Sequence, residues 1–280
     1  MQRYLNHPIT LNRSVGLLDE LPLWSAPFGL KLLDYIDYKP GLTALDIGFG
    51  TGFPLTELAM RLGKSSTVYG IDPWKEAVER VREKIEFYDI HTIRILEGYA
   101  ESIPLDNHSV DLIVSNNGLN NVTDLSQVLS ECSRIIKPGG QMVFTLNLDT
   151  TMIEFYTQLE TVLLEMNLPD SIESMHRHIR QKRPPLDHLL PMITRHDFII
   201  KDMEHDQFNY RFADGSAMLN HYFIRLAFMD CWIGLIPQEL VEPVFDRIES
   251  RLNQLSRIEG RITLSIPFIL INAVQKPSSE

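Results

Sequence analysis

Cysteine is nearly missing from this chain: Cys132 and Cys231 are the two thiols in 280 residues. Two separated thiols cannot build a disulfide framework or a thiolate zinc site, which excludes both a cysteine-stapled secreted module and a zinc-finger fold. Both are expected to be reduced core residues, Cys132 on the apolar face of a predicted helix. No run approaches the ~18 apolar residues of a membrane span. The polar stretch from Met1 to Thr10 also lacks the apolar centre of a secretory signal, so a cytoplasmic protein without a membrane span is expected. Positive charge is scarce too: 26 Lys and Arg stand against 37 Asp and Glu, a net charge of −11, and basic residues cluster only from His176 to Arg183. That balance argues against nucleic acid as a partner. No metal is expected, and neither an internal repeat nor a low-complexity segment interrupts the chain.

What is present is a chain with 44% hydrophobic residues, enough for one large core or one core with attached lids. Its most informative stretch is Leu45-Asp46-Ile47-Gly48-Phe49-Gly50-Thr51-Gly52. Thr43 to Ile47 reads as a short strand, and Leu55, Leu58, Ala59 and Leu62 recur at helical spacing, so the glycines lie between strand and helix. Pro54 is placed in the first helical turn, where a missing N–H costs nothing. A glycine turn lets a ligand approach the backbone, and the following helix N-terminus offers N–H donors to an anionic group.

The spacing separates two ligand classes. The dinucleotide fingerprint is Gly-x-Gly-x-x-Gly, whereas here the third glycine comes one position early, at Gly52, and Asp46 precedes the first glycine by two. Thr67 to Ile71 predicts a second strand running into Asp72, whose carboxylate can accept both hydroxyls of an adenosine ribose. Together these features favour S-adenosylmethionine (SAM) over a nicotinamide dinucleotide. Trp74, Ala77, Val78, Val81 and Ile85 mark a second helix, Thr92 to Leu96 a third strand and Val110 to Ser115 a fourth. A helix over Leu125 to Ile136, the turn Lys137-Pro138-Gly139-Gly140 and a strand from Gln141 to Asn147 complete an alternating α/β pattern.

Residues 43 to 147 resemble the class I SAM-dependent methyltransferases, within them the small-molecule group related to the ubiquinone/menaquinone C-methyltransferases. The resemblance rests on the glycine motif, on Gly70-Ile71-Asp72, on Gly98-Tyr99-Ala100-Glu101-Ser102-Ile103-Pro104-Leu105, on Val110-Asp111-Leu112-Ile113-Val114-Ser115-Asn116 and on Arg134-Ile135-Ile136-Lys137-Pro138-Gly139-Gly140. It implies a Rossmann-like, doubly wound sheet of seven strands, the last antiparallel, with helices on both faces. It also implies a cofactor set of Asp46, Gly48, Phe49, Gly50, Gly52, Asp72, Pro73, Tyr99, Ala100, Glu101 and Asn116. In that reading the glycine loop holds the methionine part and Asp72 the ribose, Tyr99 and Ala100 border the adenine, and Asn116 stands beside the sulfonium. The family often has an acid where this chain has Tyr99, so Glu101 or a backbone carbonyl would have to accept the adenine amino proton. Trp74 reads equally as an adenine neighbour and as a core residue.

A sulfonium methyl is already activated, so the transfer mainly needs an acceptor held in line at ~3 Å and shielded from water. A base is required only if the acceptor starts protonated. Asn116-Asn117-Gly118-Leu119 replaces the Asn/Asp-Pro-Pro-aromatic signature of enzymes that methylate planar amino groups, and there is no Pro-Cys nucleophile for cytosine. Arsenic methylation would need more thiolates than two. A small-molecule acceptor is therefore expected, with S-adenosylhomocysteine (SAH) as the other product. Other chemistry on the same fold (aminopropyl transfer or rearrangement) and a non-catalytic SAM-binding subunit remain open.

The implied layout is a single methyltransferase domain over 1–280: a cap segment at 1–40, the SAM-binding core at 41–149, an insertion at 150–197, a helical substrate lid at 206–258 and the last strand at 259–275. Strand six is expected from Phe198 to Glu204 and strand seven from Arg261 to Ala273. Between them Phe208, Tyr210, Phe212, His221, Tyr222, Phe223, Phe228 and Trp232 precede a helix from about Pro237 to Leu255. Such a stretch could wall an apolar acceptor pocket, pack as an extra helical pair, or form a homodimer surface. The basic run His176-Arg177-His178 to Arg183 is read as a solvated face or as an attractor for an anionic acceptor. Trp24 and Phe28 either staple a helix to the core or belong to a segment folded over the cofactor. If a base is needed, His221 is the first choice, with Tyr222 beside it and His188 in the other insertion.

Overall fold

A computed structural model describes residues 24–277, together with Leu5. The chain divides into two compact units. A sheet unit contains residues 24–147, 184–206 and 268–277, and a helical unit contains residues 148–183 and 207–267.

In the sheet unit the strands are β1 (Thr43–Ile47), β2 (Thr67–Asp72), β3 (Ile93–Glu97), β4 (Val110–Asn116) and β5 (Ile136–Asn147), joined edge to edge in the order 3-2-1-4-5 and continued by strands 7 and 6. The pairs among β1 to β5 are parallel, and β5 pairs antiparallel with β7 (Ile262–Gln275). Between them run α1 (Ser25–Asp34, ahead of β1), α2 (Leu55–Leu62), α3 (Lys75–Phe87) and α4 (Leu125–Ile135). Apolar residues one turn apart, such as Leu55 and Leu58, or Val78 and Val81, pack with Ala44, Val68 and Val114 of the strands. The order reverses at β1, whose two neighbours are β2 and β4. This crevice at the carboxyl ends of the strands is where doubly wound sheets place ligands. Register sets Asp46 between Gly70 and Val114.

Several expectations are adjusted. β6 runs from Phe198 to Phe212 rather than stopping at Glu204, because Phe208, Tyr210 and Phe212 alternate with polar residues along it. Pro54 is the N-cap of α2 rather than part of its first turn. Cys132 is buried in α4, and burial pushes its thiol up to about 12. Cys231, expected in the core, is exposed, since its turn directs neighbouring Trp232 inward instead. Trp24 packs edge-on to Phe28, and Phe28 in turn to Phe268 at 4.8 Å, which fixes α1 to the sheet. The remainder of the cap segment lies outside the described residues.

The helical unit contains α5 (Ile153–Glu165), α6 (Pro169–Lys182), α8 (Gly215–Asn220) and α9 (Val241–Glu259), while α7 (Leu186–Arg195) belongs to the sheet unit. The helical run after α8 is Tyr222–Ile224, a π-helical turn at Arg225–Met229, and Asp230–Ile233. α9 buries Val241, Val244, Phe245, Ile248 and Leu252 along one stripe. Trp232 is fully buried, stacked on Phe155 at 3.8 Å, and donates its Nε1 hydrogen to the Tyr156 hydroxyl at 3.2 Å. Among the described residues no helix is long and apolar enough to cross a membrane.

Candidate active site: a glycine cradle and two carboxylates

The glycines of the loop serve different needs. Gly48 has φ +75°, and a Cβ there would stand 2.7 Å from the Gly118 Cα. A Cβ on Gly118 would meet the Ile47 carbonyl at 2.2 Å, so the ends of β1 and β4 touch backbone to backbone. Ser115 reinforces this contact by donating its hydroxyl to the same carbonyl at 2.8 Å. Gly50 has φ +52° and nothing within 4 Å of where its Cβ would lie, leaving the loop open at that point. Phe49 turns its ring into the core against Gly70, which leaves its backbone as the part a ligand can meet.

Asp72 organises the loop from the next strand. One of its oxygens accepts the Gly50 N–H and the other the Trp74 N–H, both at 2.9 Å. It is 7% exposed; burial raises its carboxyl above the usual range, and those two N–H groups oppose the rise. Pro73 beside it is exposed, while Trp74 is half-buried with its Nε1 hydrogen unpartnered. Asp46 is fully buried, and neither of its oxygens has a hydrogen-bond partner. Burial first, then the charge of Asp72, push its carboxyl well above the usual carboxylate range. The Leu55 N–H opposes this from outside hydrogen-bond geometry. A buried, unpaired carboxyl beside a second acid is costly unless it is protonated or met by a cation. SAM brings a sulfonium and an ammonium group, so the donor set fits that cofactor.

The remaining expected residues fall on the same unit. Tyr99 is 67% exposed and Ala100 is buried just after β3. Glu101 holds the backbone ahead of α4, its Oε1 accepting the N–H groups of Thr123 and Asp124 at 2.8 and 3.2 Å. Asn116 is likewise committed, donating to the Ser25 carbonyl at 3.0 Å and accepting from the Thr145 hydroxyl at 3.2 Å. Its neighbour Asn117 escaped the sequence reading. It has φ +59°, and both amide atoms of its side chain are buried without partners. Only the pattern Asn-Asn-Gly marked the place.

His221 and Tyr222 belong to the helical unit. The His221 ring meets Phe212 at 5.3 Å and Tyr210 at 6.4 Å, and its Nδ1 is buried with no partner. Burial lowers its pKa, keeping the imidazole neutral near pH 7 and able to accept a proton. Tyr210, raised strongly by the same burial, stays protonated.

An open αβ crevice, a glycine cradle and an acid at the end of each of the first two strands define a SAM-binding fold of the class I methyltransferase type. Residues 45–144 match the family model described as a methyltransferase domain. The chain is 33% identical, over 43% of its length, to a demethylmenaquinone methyltransferase of Bacillus mycoides, strain KBAB4. That match covers 51% of the relative, so the chain spans about half the length of the curated relatives it matches. The fold is shared with YcgJ from Bacillus subtilis (TM-score 0.59, 18% identity, covering 90% of this chain and 99% of that one). It is also shared with the [4+2]-cyclase SpnF (TM-score 0.55, 14% identity, covering 90% and 81%).

Proposed function

We propose that this chain transfers the SAM methyl group to a small, partly apolar acceptor by in-line displacement. The observation that carries the reading is Asp46: a buried, unpartnered carboxyl beside Asp72 at a glycine loop suits a cationic cofactor. Bound there, SAM supplies a methyl group already activated by its sulfonium charge. Gly48, Gly50, Gly52 and the Phe49 backbone admit the methionine part, and Asp72 accepts the ribose hydroxyls with lone pairs left over from Gly50 and Trp74. Pro73, Tyr99 and Ala100 border the adenine. Because the Glu101 carboxylate is occupied, its role there is to hold the loop, and a backbone carbonyl accepts the adenine amino proton. Asn116 fixes the edge of the site through Ser25 and Thr145.

The long stretch between β6 and β7 acts as the acceptor lid, with neutral His221 taking a proton from a protonated acceptor and Tyr222 assisting. The similarity to a demethylmenaquinone methyltransferase supports a small-molecule acceptor over a macromolecular one. A cytoplasmic location and a homodimer complete the reading.

A second chemistry is kept in view because a [4+2]-cyclase shares this fold. The experiment is to incubate the protein with methyl-labelled SAM and a panel of acceptors, reduced demethylmenaquinone among them. Label transfer with equal formation of SAH supports methyl transfer. Tight SAM binding with the label never leaving SAM overturns it in favour of a rearrangement or a regulatory role. Thermal stabilisation by a nicotinamide cofactor and none by SAH would instead favour a nicotinamide dinucleotide as the ligand. Once an acceptor is found, His221→Ala is expected to lower turnover by about a hundredfold with a changed pH profile; unchanged turnover across pH removes His221 from the mechanism.

A further inference from the structure

Arg183 ends the basic run of α6, where a solvated side chain is the ordinary outcome, yet it is 6% exposed. Its Nη1 donates to the Thr151 carbonyl at 3.0 Å, and its guanidinium carbon stands 5.6 Å from the centre of the Tyr156 ring. No carboxylate lies within ion-pair distance of it among the described residues, and exposed Asp149 acts on it only from farther away. Another cation of the same unit is paired although it is more exposed: Arg251 meets Glu165 at 2.8 Å. A guanidinium offers five N–H donors in a rigid fork, and a buried charge without a counter-ion is costly. The Tyr156 hydroxyl and, from farther away, Asp149 relieve only part of that cost, and burial still lowers the guanidinium's pKa. Half-buried His178 is disfavoured as a cation by burial first, then by Arg183 and Lys182, so the local field is positive. The aromatic wall is held in place by the stacking of Phe155 on Trp232, and the Tyr156 hydroxyl, accepting from Trp232, keeps its own hydrogen to donate.

We propose that Arg183, with the Tyr156 hydroxyl, is an anion-binding site of the helical unit that takes the carboxylate or phosphate monoester of the acceptor. The inference rests on the methyl-transfer reading only in naming the acceptor as carrier of the anion. A planar carboxylate or phosphate matches the guanidinium fork with two parallel hydrogen bonds and supplies the missing charge.

The test is calorimetric titration of the full chain, saturated with SAH, with benzoate, phenyl phosphate and neutral benzyl alcohol. The anions are expected to bind at least about tenfold tighter than the alcohol, and the stronger of the two identifies the anion class. In Arg183→Met that preference is expected to fall to about threefold or less while SAH binding is unchanged. Should Arg183→Met not fold, as judged by circular dichroism, Tyr156→Phe decides: anion affinity falls by about threefold to tenfold while benzyl alcohol is unaffected. Equal binding of all three probes to the wild type, or undiminished anion preference in a folded variant, overturns the site. Failure of SAH to bind would instead sink the methyl-transfer reading, whatever the anions do.

Discussion

The glycine cradle of the sheet unit and the aromatic tract of the helical unit are built on opposite plans. In the cradle, backbone meets backbone: Gly48 and Gly118 approach so closely that one added carbon has no place to go. In the tract, rings meet rings at varied angles, from Tyr210 against Phe223 at 6.3 Å to Phe228 against Trp232 at 5.7 Å. Contacts between backbones depend on the absence of side chains, which few residues can provide. Contacts between apolar surfaces depend on volume, which many residues can provide. A contact of the first kind leaves a fixed motif, whereas a tract of the second kind leaves only a composition.

Substitutions can break this contrast. The largest effect is expected from Gly118→Ala, whose new carbon meets the Ile47 carbonyl, a backbone atom that cannot swing aside. We expect a loss of about 3 kcal/mol in urea denaturation, and a variant as stable as the wild type would show that the cradle yields. Asp72→Ala comes next, weakening SAM binding by roughly 1.5 to 3 kcal/mol if it holds the ribose through charge-assisted hydrogen bonds. Titration with SAM reads this directly, and wild-type affinity removes the ribose assignment. Phe228→Leu, by contrast, should cost only about 1 kcal/mol because the tract can repack. A loss as large as that of Gly118→Ala would mean the rings are as narrowly specified as the loop.

The smallest effect is a proton. Asp46 has a raised folded-state pKa, so its contribution to stability is fully present below the ordinary carboxylate range and is lost as pH rises through the displaced value. Asp72 shifts in the same direction. A cationic cofactor favours the ionised form, so SAM affinity should climb over that same window, with release of a fraction of one proton on binding. Calorimetry just above the ordinary carboxylate range, in buffers of different ionisation heat, measures it, and Asp46→Asn should reduce it, the remainder belonging to Asp72. No release from the wild type would mean that Asp46 is already ionised without the cofactor.

Legibility in the sequence followed the same division. The β1 to β5 frame was readable because each strand and helix declares itself by local periodicity, as in Leu55, Leu58, Ala59 and Leu62. The extension of β6 was also readable in principle, since Phe208, Tyr210 and Phe212 alternate with Asn209 and Arg211, but their aromatic character suggested a lid. The close approach at Gly118, the orphaned amide of Asn117 and the burial of Arg183 were not readable. The first and last depend on a neighbour far away in sequence: Ile47 for Gly118 and Thr151 for Arg183. Charge patterning left the run of Arg183 as a solvated face or an anion attractor, because it counts neighbours along the chain and not across it.

The touching backbones of β1 and β4 also bear on how the protein is made. The glycine motif is finished by residue 52, but the surface that locks it into shape arrives with Gly118, after β2 and β3. A nascent chain that has emerged only through β3 therefore holds every residue of the motif and its Asp72 contact, but not the backbone wall at Gly118. Capture of the cofactor must wait for β4 to be threaded beside β1, so the cofactor can reward only chains that have already closed the centre of the sheet.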